Sequence, residues 1–102
     1  MSISAPSSTN RGNRFTVSAT VSNSGGGVAS GYSVRLDWSP SGSADLESTR
    51  TQSLPDLAAG DSANRSWTME ADEQGTLNLT VTLRDNLNNV ILTRNASLTI
   101  NR

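Results

Sequence analysis

The stretch TLNLTVTLRD, residues 76–85, decides the fold class of this chain. Its apolar residues are separated by single polar residues, at Leu77, Leu79, Val81 and Leu83. A period of two is expected of a β-strand that buries one face and exposes the other. The stretch therefore predicts a central strand of a sheet with one buried face.

The same alternation extends in both directions along the chain. It predicts strands over residues 14–23, 32–38, 63–69 and 90–100, and weaker patterns indicate short strands over 1–5 and within 44–53. The last strand is expected to bury Val90, Leu92, Ala96, Leu98 and Ile100. Turn signals separate these segments, among them Ser24 to Gly27 and Asp85 to Asn89.

Strands of this length and spacing are typical of a two-sheet sandwich. No stretch shows the 3.6-residue period of a helix over three turns. We therefore predict an all-β fold, an immunoglobulin- or fibronectin-III-like sandwich of about seven antiparallel strands in two sheets. All four aromatic residues fall on the side assigned to the core, namely Phe15, Tyr32, Trp38 and Trp67.

The length and charge of the chain limit its organisation and its partners. The 102 residues suit one domain, so residues 1–102 are interpreted as a single module, cut from a larger multidomain protein. The net charge of −1 gives no general attraction to nucleic acid, and the longest apolar run is too short for membrane insertion. We expect a monomer that binds neither nucleic acid nor membrane.

The composition argues against an enzyme. The chain lacks His, Cys and Lys, which excludes His-containing triads, Cys nucleophiles, zinc sites of the common ligand types and Schiff-base chemistry. Glu70, Asp72 and Glu73 lie too close together on one turn to face each other across a sugar. We predict no catalytic residues and no cofactor.

One loop offers weak metal candidates. Asp85, Asn86, Asn88 and Asn89 present oxygen atoms of the kind that calcium prefers, but their spacing does not fit an EF-hand loop. Only one of the four carries a charge. Turn formation is the favoured interpretation, and calcium binding stays the alternative.

Several segments together resemble a known family. They are residues 17–25 with Ala29, residues 57–62 with Trp67, and Gly75 with residues 77–85, Asn88 and Val90. In this order they are similar to the cell-adhesion-related domain found in bacteria (CARDB), over about residues 13 to 101. The resemblance implies a non-catalytic immunoglobulin-like sandwich of seven or so strands. Residues 92–95 lack the acidic residue often found in that family, which puts an ion or ligand role there in doubt.

The resemblance also implies a setting. Such domains are modules of secreted or cell-surface proteins of bacteria and archaea, so we expect a structural or adhesion module that acts as a spacer or binds protein. Its partners would be neighbouring domains of the same chain or a cell-surface protein. The alternative is an accessory module that binds carbohydrate or calcium weakly.

Overall fold

A computed structural model describes the backbone of residues 1–102 and every side chain except that of Ser41. This described chain contains one short 3-10 turn, Ser41–Ser43, and nine β-strands. The strands are β1 (Ser2–Ser4), β2 (Ser8–Asn10), β3 (Arg14–Ser22), β4 (Ser33–Ser39), β5 (Ala44–Leu46), β6 (Thr51–Ser53), β7 (Ser62–Ala71), β8 (Gly75–Arg84) and β9 (Val90–Asn101).

The strands form two facing sheets. One has the order β1-β3-β7-β5, and the other has the order β2-β9-β8-β4-β6. Neighbouring strands are antiparallel, except that β2 runs parallel to β9. This immunoglobulin-like sandwich confirms the predicted fold class. No helix among the described residues is long and apolar enough to cross a membrane.

Two segments of the chain cross from one sheet to the other. β1 lies within the strand predicted over residues 1–5 and pairs with β3, whereas β2 was not predicted and pairs with β9 in the opposite sheet. The stretch within 44–53 likewise gives β5 beside β7 and β6 beside β4. These two crossings raise the count from the predicted seven strands to nine.

The alternating residues of the long strands form the core between the sheets. Those of β3 and β8 are buried as predicted, and Trp67, Leu77, Leu79 and Val81 are fully enclosed. Phe15 is also buried, whereas Tyr32 and Trp38 are half-buried against the core. Burying one large apolar side chain contributes roughly 1.5–3 kcal/mol to the free energy of folding. The buried side chains of the core therefore supply most of the driving force for folding.

The prediction that Val90 is buried is wrong. Its side chain is 54% exposed, while Leu98 and Ile100 at the other end of β9 are buried. Leu83 pairs with Leu92 but Arg84 pairs with Val90, so Ile91 is the extra residue of a β-bulge. A bulge shifts the alternation and bends the strand, and here it releases the start of β9 from the core.

An inward-facing arginine, Arg65, lies at the margin of the core. Its half-buried side chain donates from Nε to the carbonyl oxygen of Ser53 at 3.0 Å. Ser53 belongs to the opposite sheet, and nearby Gln52 donates to the carbonyl oxygen of Ser66 at 2.8 Å. Both side chains therefore tie the two sheets together by satisfying backbone acceptors at the sandwich edge.

The chain enters and leaves the sandwich at opposite ends of its long axis. The molecule measures 48 × 22 × 18 Å. Ser2 pairs with Thr20 near the end of β3, whereas Ile100 pairs with Gly75 at the start of β8. Val21, next to Thr20 near the end of β3, and Leu83, near the end of β8, line one cavity together. The first strand thus begins at the cavity end, and the last strand finishes at the far end.

Candidate functional site: the apolar end of the sandwich

A cavity of about 300 Å³ opens at the end of the sandwich where β3 and β8 finish. Its apolar wall includes Met1, Val21, Tyr32, Leu57 and Leu92. Asn23 and Ser24 supply polar atoms at its rim. The cavity lies at the small end of the range for small-molecule pockets and suits one apolar side chain of another protein.

The exposed large apolar side chains of the described residues belong to the loops and the strand start around this cavity. They are Val28 at 67%, Leu87 at 76%, Val90 at 54% and Ile91 at 49% exposed. Ile91 itself lines the cavity. We call these four residues and the cavity the apolar end. A gathered apolar surface of this kind is typical of protein contact, whereas single exposed apolar residues are ordinary.

Asn23 organises the loop beside the cavity. Its side-chain amide donates to the carbonyl oxygens of Gly27 at 2.6 Å and Leu57 at 2.8 Å, and its Oδ1 accepts from the N–H of Gly25 at 3.0 Å. One side chain thus fixes the Gly-rich turn and links it to the Leu57 segment. The segment Asn23-Ser24-Gly25 marked the family resemblance in the sequence, but the pattern alone did not indicate this role.

The four calcium candidates share the β8–β9 hairpin turn at the same end. Oδ1 of Asp85 accepts hydrogen bonds from the backbone N–H groups of Leu87 and Asn89, both at 2.9 Å. The bond from Asn89, with a smaller contribution from Leu87, lowers the pKa of the Asp85 carboxyl. Asn88 adopts φ of 64°, the left-handed conformation that Asn tolerates well.

The carboxylate of Asp85 therefore stabilises the turn of its own hairpin. Asn86, Asn88 and Asn89 are exposed around it. Among the described residues, no three His, Cys, Asp or Glu side chains come close enough to hold a metal ion. The geometry accounts for Asp85 as a turn residue.

The acidic residues at the far end form a repelling pair. Asp72 raises the pKa of the Asp45 carboxyl by sharing a hydrogen bond with it and by repelling its charge. Asp45 is exposed on the edge strand β5, and Asp72 is half-buried. The hydrogen bond shared with Asp72, followed by the repulsion of its like charge, accounts for the raised pKa of Asp45.

The half-buried Trp38 lies beneath an arginine. The guanidinium carbon of Arg50 is 4.9 Å from the centre of the Trp38 ring, and Nη2 of Arg50 is 2.7 Å from Oδ1 of Asp37. Arg35 also donates to Asp37, at 3.3 Å. Because Arg50 covers the ring, Trp38 does not present the flat open face on which a sugar would stack.

Comparisons with known proteins agree with this architecture. The family model for CARDB domains matches residues 1–94. A search of curated protein sequences finds no significant match.

Among solved structures, two are of the CARDB domain of the PF1109 protein from Pyrococcus furiosus. The crystal structure, described as a complex with di-metal ions, has a TM-score of 0.77 at 13% identity and covers 96% of this chain and 83% of that chain. The solution structure has a TM-score of 0.77 at 13% identity and covers 97% and 90% respectively.

A third similar structure is the PKD domain of an M14-like peptidase from Thermoplasmatales archaeon SCGC AB-540-F20. Its TM-score is 0.64 at 17% identity, and the match covers 99% of this chain and 92% of that chain. At these identities the structures establish the fold alone, whereas the family match spans most of the chain. This chain belongs to the CARDB family of immunoglobulin-like domains.

Proposed function

We propose that this chain is a non-catalytic spacer module of a secreted or cell-surface protein of bacteria or archaea. The observation that carries the proposal is the entry and exit of the chain at opposite ends of a 48 Å long sandwich. A rigid body placed this way in a polypeptide holds whatever precedes it away from whatever follows it. The secreted or surface setting rests on the usual setting of the family.

The rigidity of the module supports the same proposal. The core joins both sheets along the long axis, and side chains such as Arg65 and Gln52 add cross-sheet bonds at the margin. A packed sandwich resists bending, whereas a flexible linker of equal mean span does not. The domain is therefore suited to keep its neighbours at a fixed distance.

A protein contact at the apolar end is the second candidate function. The four exposed apolar side chains and the cavity lie at an end whose cross-section is limited by the 22 and 18 Å axes. That area is well below the roughly 800 Å² per partner of a stable free complex. A neighbouring domain linked in the same polypeptide is the partner that fits, because linkage supplies the missing affinity.

Replacement in the natural full-length protein tests the spacer role. We expect an unrelated immunoglobulin-like domain of similar length, put in place of residues 1–102, to preserve the function of the whole protein. As a matched control, a Gly/Ser linker of about 75 residues has a mean span equal to the 48 Å axis but no rigidity, and should not preserve it. Equal performance of both replacements would contradict the spacer role.

Amide NMR spectra of the isolated domain separate this function from ligand binding. We expect well-dispersed peaks that do not move with millimolar calcium or with simple polysaccharides. The PF1109 domain was crystallised with di-metal ions, so calcium and zinc are the probes to add first. Saturable shifts confined to residues 85–95 or to one sheet face would replace the spacer with a ligand-binding module.

A further inference from the structure

The pairing of β2 with β9 joins two segments that lie near opposite ends of the chain. Ser8, Thr9 and Asn10 pair in parallel with Thr99, Ile100 and Asn101. The N–H of Thr99 donates to the carbonyl oxygen of Ser7 at 3.1 Å, and the N–H of Arg11 donates to that of Asn101 at 2.7 Å. The ladder thus runs from Ser7 to Arg11, close to both termini.

Tension between the termini would load this ladder in shear. Both strands run from the apolar end towards the far end. A pull on residue 1 first loads the three-residue pairing of β1 with β3, and once β1 is released it draws β2 backwards, while a pull on residue 102 draws β9 forwards. The hydrogen bonds of the ladder lie across the direction of pull and share the load. In an antiparallel hairpin pulled from its open end, the bonds would instead break one after another.

β2 is the weaker of the two loaded strands. β9 pairs with β8 from Gly75 to Arg84, and its Leu98 and Ile100 are buried. β2 has only three residues, with exposed Ser8 and Asn10 around half-buried Thr9. Beyond it, Gly12 donates to the carbonyl oxygen of Ala71 at 2.7 Å and anchors the turn into β3. Release of β2 from β9 is therefore the step that opens the sandwich to the load.

We propose that the parallel β2–β9 ladder is a mechanical clamp, which makes this module a tension-bearing element. The inference rests on the proposed function, since a spacer between other domains is the setting in which the termini are pulled apart. It adds to that function a resistance to force and the three residue pairs that provide it.

Single-molecule force spectroscopy on the domain, with handles at residues 1 and 102, tests the clamp. Thr9 lies two residues from both Ser7 and Arg11, whose backbone groups form hydrogen bonds with β9. Because the backbone groups of alternate residues point to the same side of a strand, the N–H of Thr9 also points at β9. We expect Thr9→Pro to raise the unfolding rate at a fixed load about tenfold, because it removes one bond from the ladder. Ser8→Pro is the matched control, because the N–H of Ser8 points away from β9; it should stay within about twofold of wild type.

A second pulling direction keeps the test decisive. Handles at residue 1 and at an Ala59→Cys site pull from one end, since Gly60 and Asp61 bond to Asn23 at the cavity. In that geometry the β2–β9 ladder is not the loaded element, and Thr9→Pro should unfold at the wild-type rate. Equal rates for Thr9→Pro and Ser8→Pro under end-to-end load, or equal effects in both directions, would overturn the clamp.

The outcome is distinguishable from a failure of the spacer role. A domain without the clamp that still passes the replacement test is a spacer that bears no load. A domain that shows the clamp but fails the replacement test has a mechanical property without the proposed function.

Discussion

The indole N–H of Trp67 donates a hydrogen bond to the carbonyl oxygen of Arg50 over 2.9 Å. The ring of Trp67 is fully buried in the core, so its only polar atom is satisfied by the segment that links β5 to β6. The same carbonyl oxygen accepts from the N–H of Leu36 at 3.2 Å. The buried ring of Trp67 thereby links the core to the segment in which the chain passes from β5 in one sheet to β6 in the other.

Two substitutions separate the packing of Trp67 from its hydrogen bond. Trp67→Ala should lower the free energy of unfolding by about 3–5 kcal/mol, because it removes a large buried ring. Trp67→Phe keeps most of the ring and should cost about 1–3 kcal/mol, since Leu36 still satisfies the Arg50 carbonyl. Urea denaturation measures both, and a loss below 1 kcal/mol for Trp67→Ala would contradict the core placement.

Gly31→Ala should destabilise the domain by about 1–3 kcal/mol through a clash with Asn86. A Cβ at Gly31 would lie 2.5 Å from the Cβ of Asn86, and Gly31 has a φ of +75°. Gly60→Ala is the control, because Gly60 has a φ of +85° but no atom within 4 Å of its added Cβ. Gly31→Ala should lose more unfolding free energy than Gly60→Ala, and the difference between the two losses measures the cost of the clash.

Removing the Cβ of Asn86 should relieve that clash. In the Asn86→Gly background, Gly31→Ala should cost no more than Gly60→Ala does, and a double-mutant cycle by urea denaturation measures the coupling. An uncoupled pair would show that the loop of Gly31 does not approach the β8–β9 hairpin.

Asp85 should make stability depend on acid pH. Because hydrogen bonds lower the pKa of its carboxyl in the folded state, its contribution is complete above the unfolded pKa and is lost as the pH falls through the folded pKa. Asp85→Asn keeps an acceptor oxygen for the turn but cannot titrate. The melting temperature of wild type should exceed that of Asp85→Asn by a constant amount between about pH 5 and 8, and the difference should shrink below about pH 4. A difference that does not change with pH would contradict this prediction.

Arg94 lies beside an open edge of β9. Because β2 pairs only with residues 99–101, the outward backbone groups of Thr93, Asn95 and Ser97 have no strand beside them in the described chain. Arg94 lies opposite buried Val81 on the inner side, yet its side chain is exposed and its Nη1 donates to the carbonyl oxygen of Thr93 at 3.1 Å. An inward-placed charge on an edge strand is a known obstacle to edge-to-edge pairing.

Arg94→Thr should therefore give a concentration-dependent dimer, seen as a species of twice the mass of the chain in sedimentation velocity. Arg84→Thr is the matched control, since Arg84 also donates to a backbone carbonyl, that of Asn88, but lies on a strand paired on both sides. Adding Asn95→Pro to Arg94→Thr should abolish that dimer by removing an outward N–H. A monomeric, folded Arg94→Thr would remove this role from Arg94.

The long strands could be predicted from the sequence because their signal is local. In β3 and β8 each apolar residue is separated from the next by one polar residue, and the core follows from that period alone. The same reasoning placed all four aromatic residues against the core. The candidate hairpin of Asp85 was also visible, as a run of residues that favour turns.

The remaining features depend on pairing between distant segments. The bulge at Ile91, which exposes Val90, exists only in the register of β9 against β8. The parallel ladder joins residues near opposite ends of the chain, and no short-range pattern marks it. The apolar end likewise gathers Met1, Val28 and Ile91 from separate segments, and no local pattern marked these residues in the sequence.

The pairing of β2 with β9 also sets the order in which the domain can be completed during synthesis. Within the domain, β2 is made long before β9, because Asn10 finds its partner only when Asn101 has been synthesised. Closing so long a loop is slow compared with forming the β8–β9 hairpin, whose strands follow each other directly. Each newly made copy therefore passes through a stage in which β2 is unpaired and the edge of β9 that β2 later covers is open. At that stage the open edge is most exposed to pairing with strands of other chains.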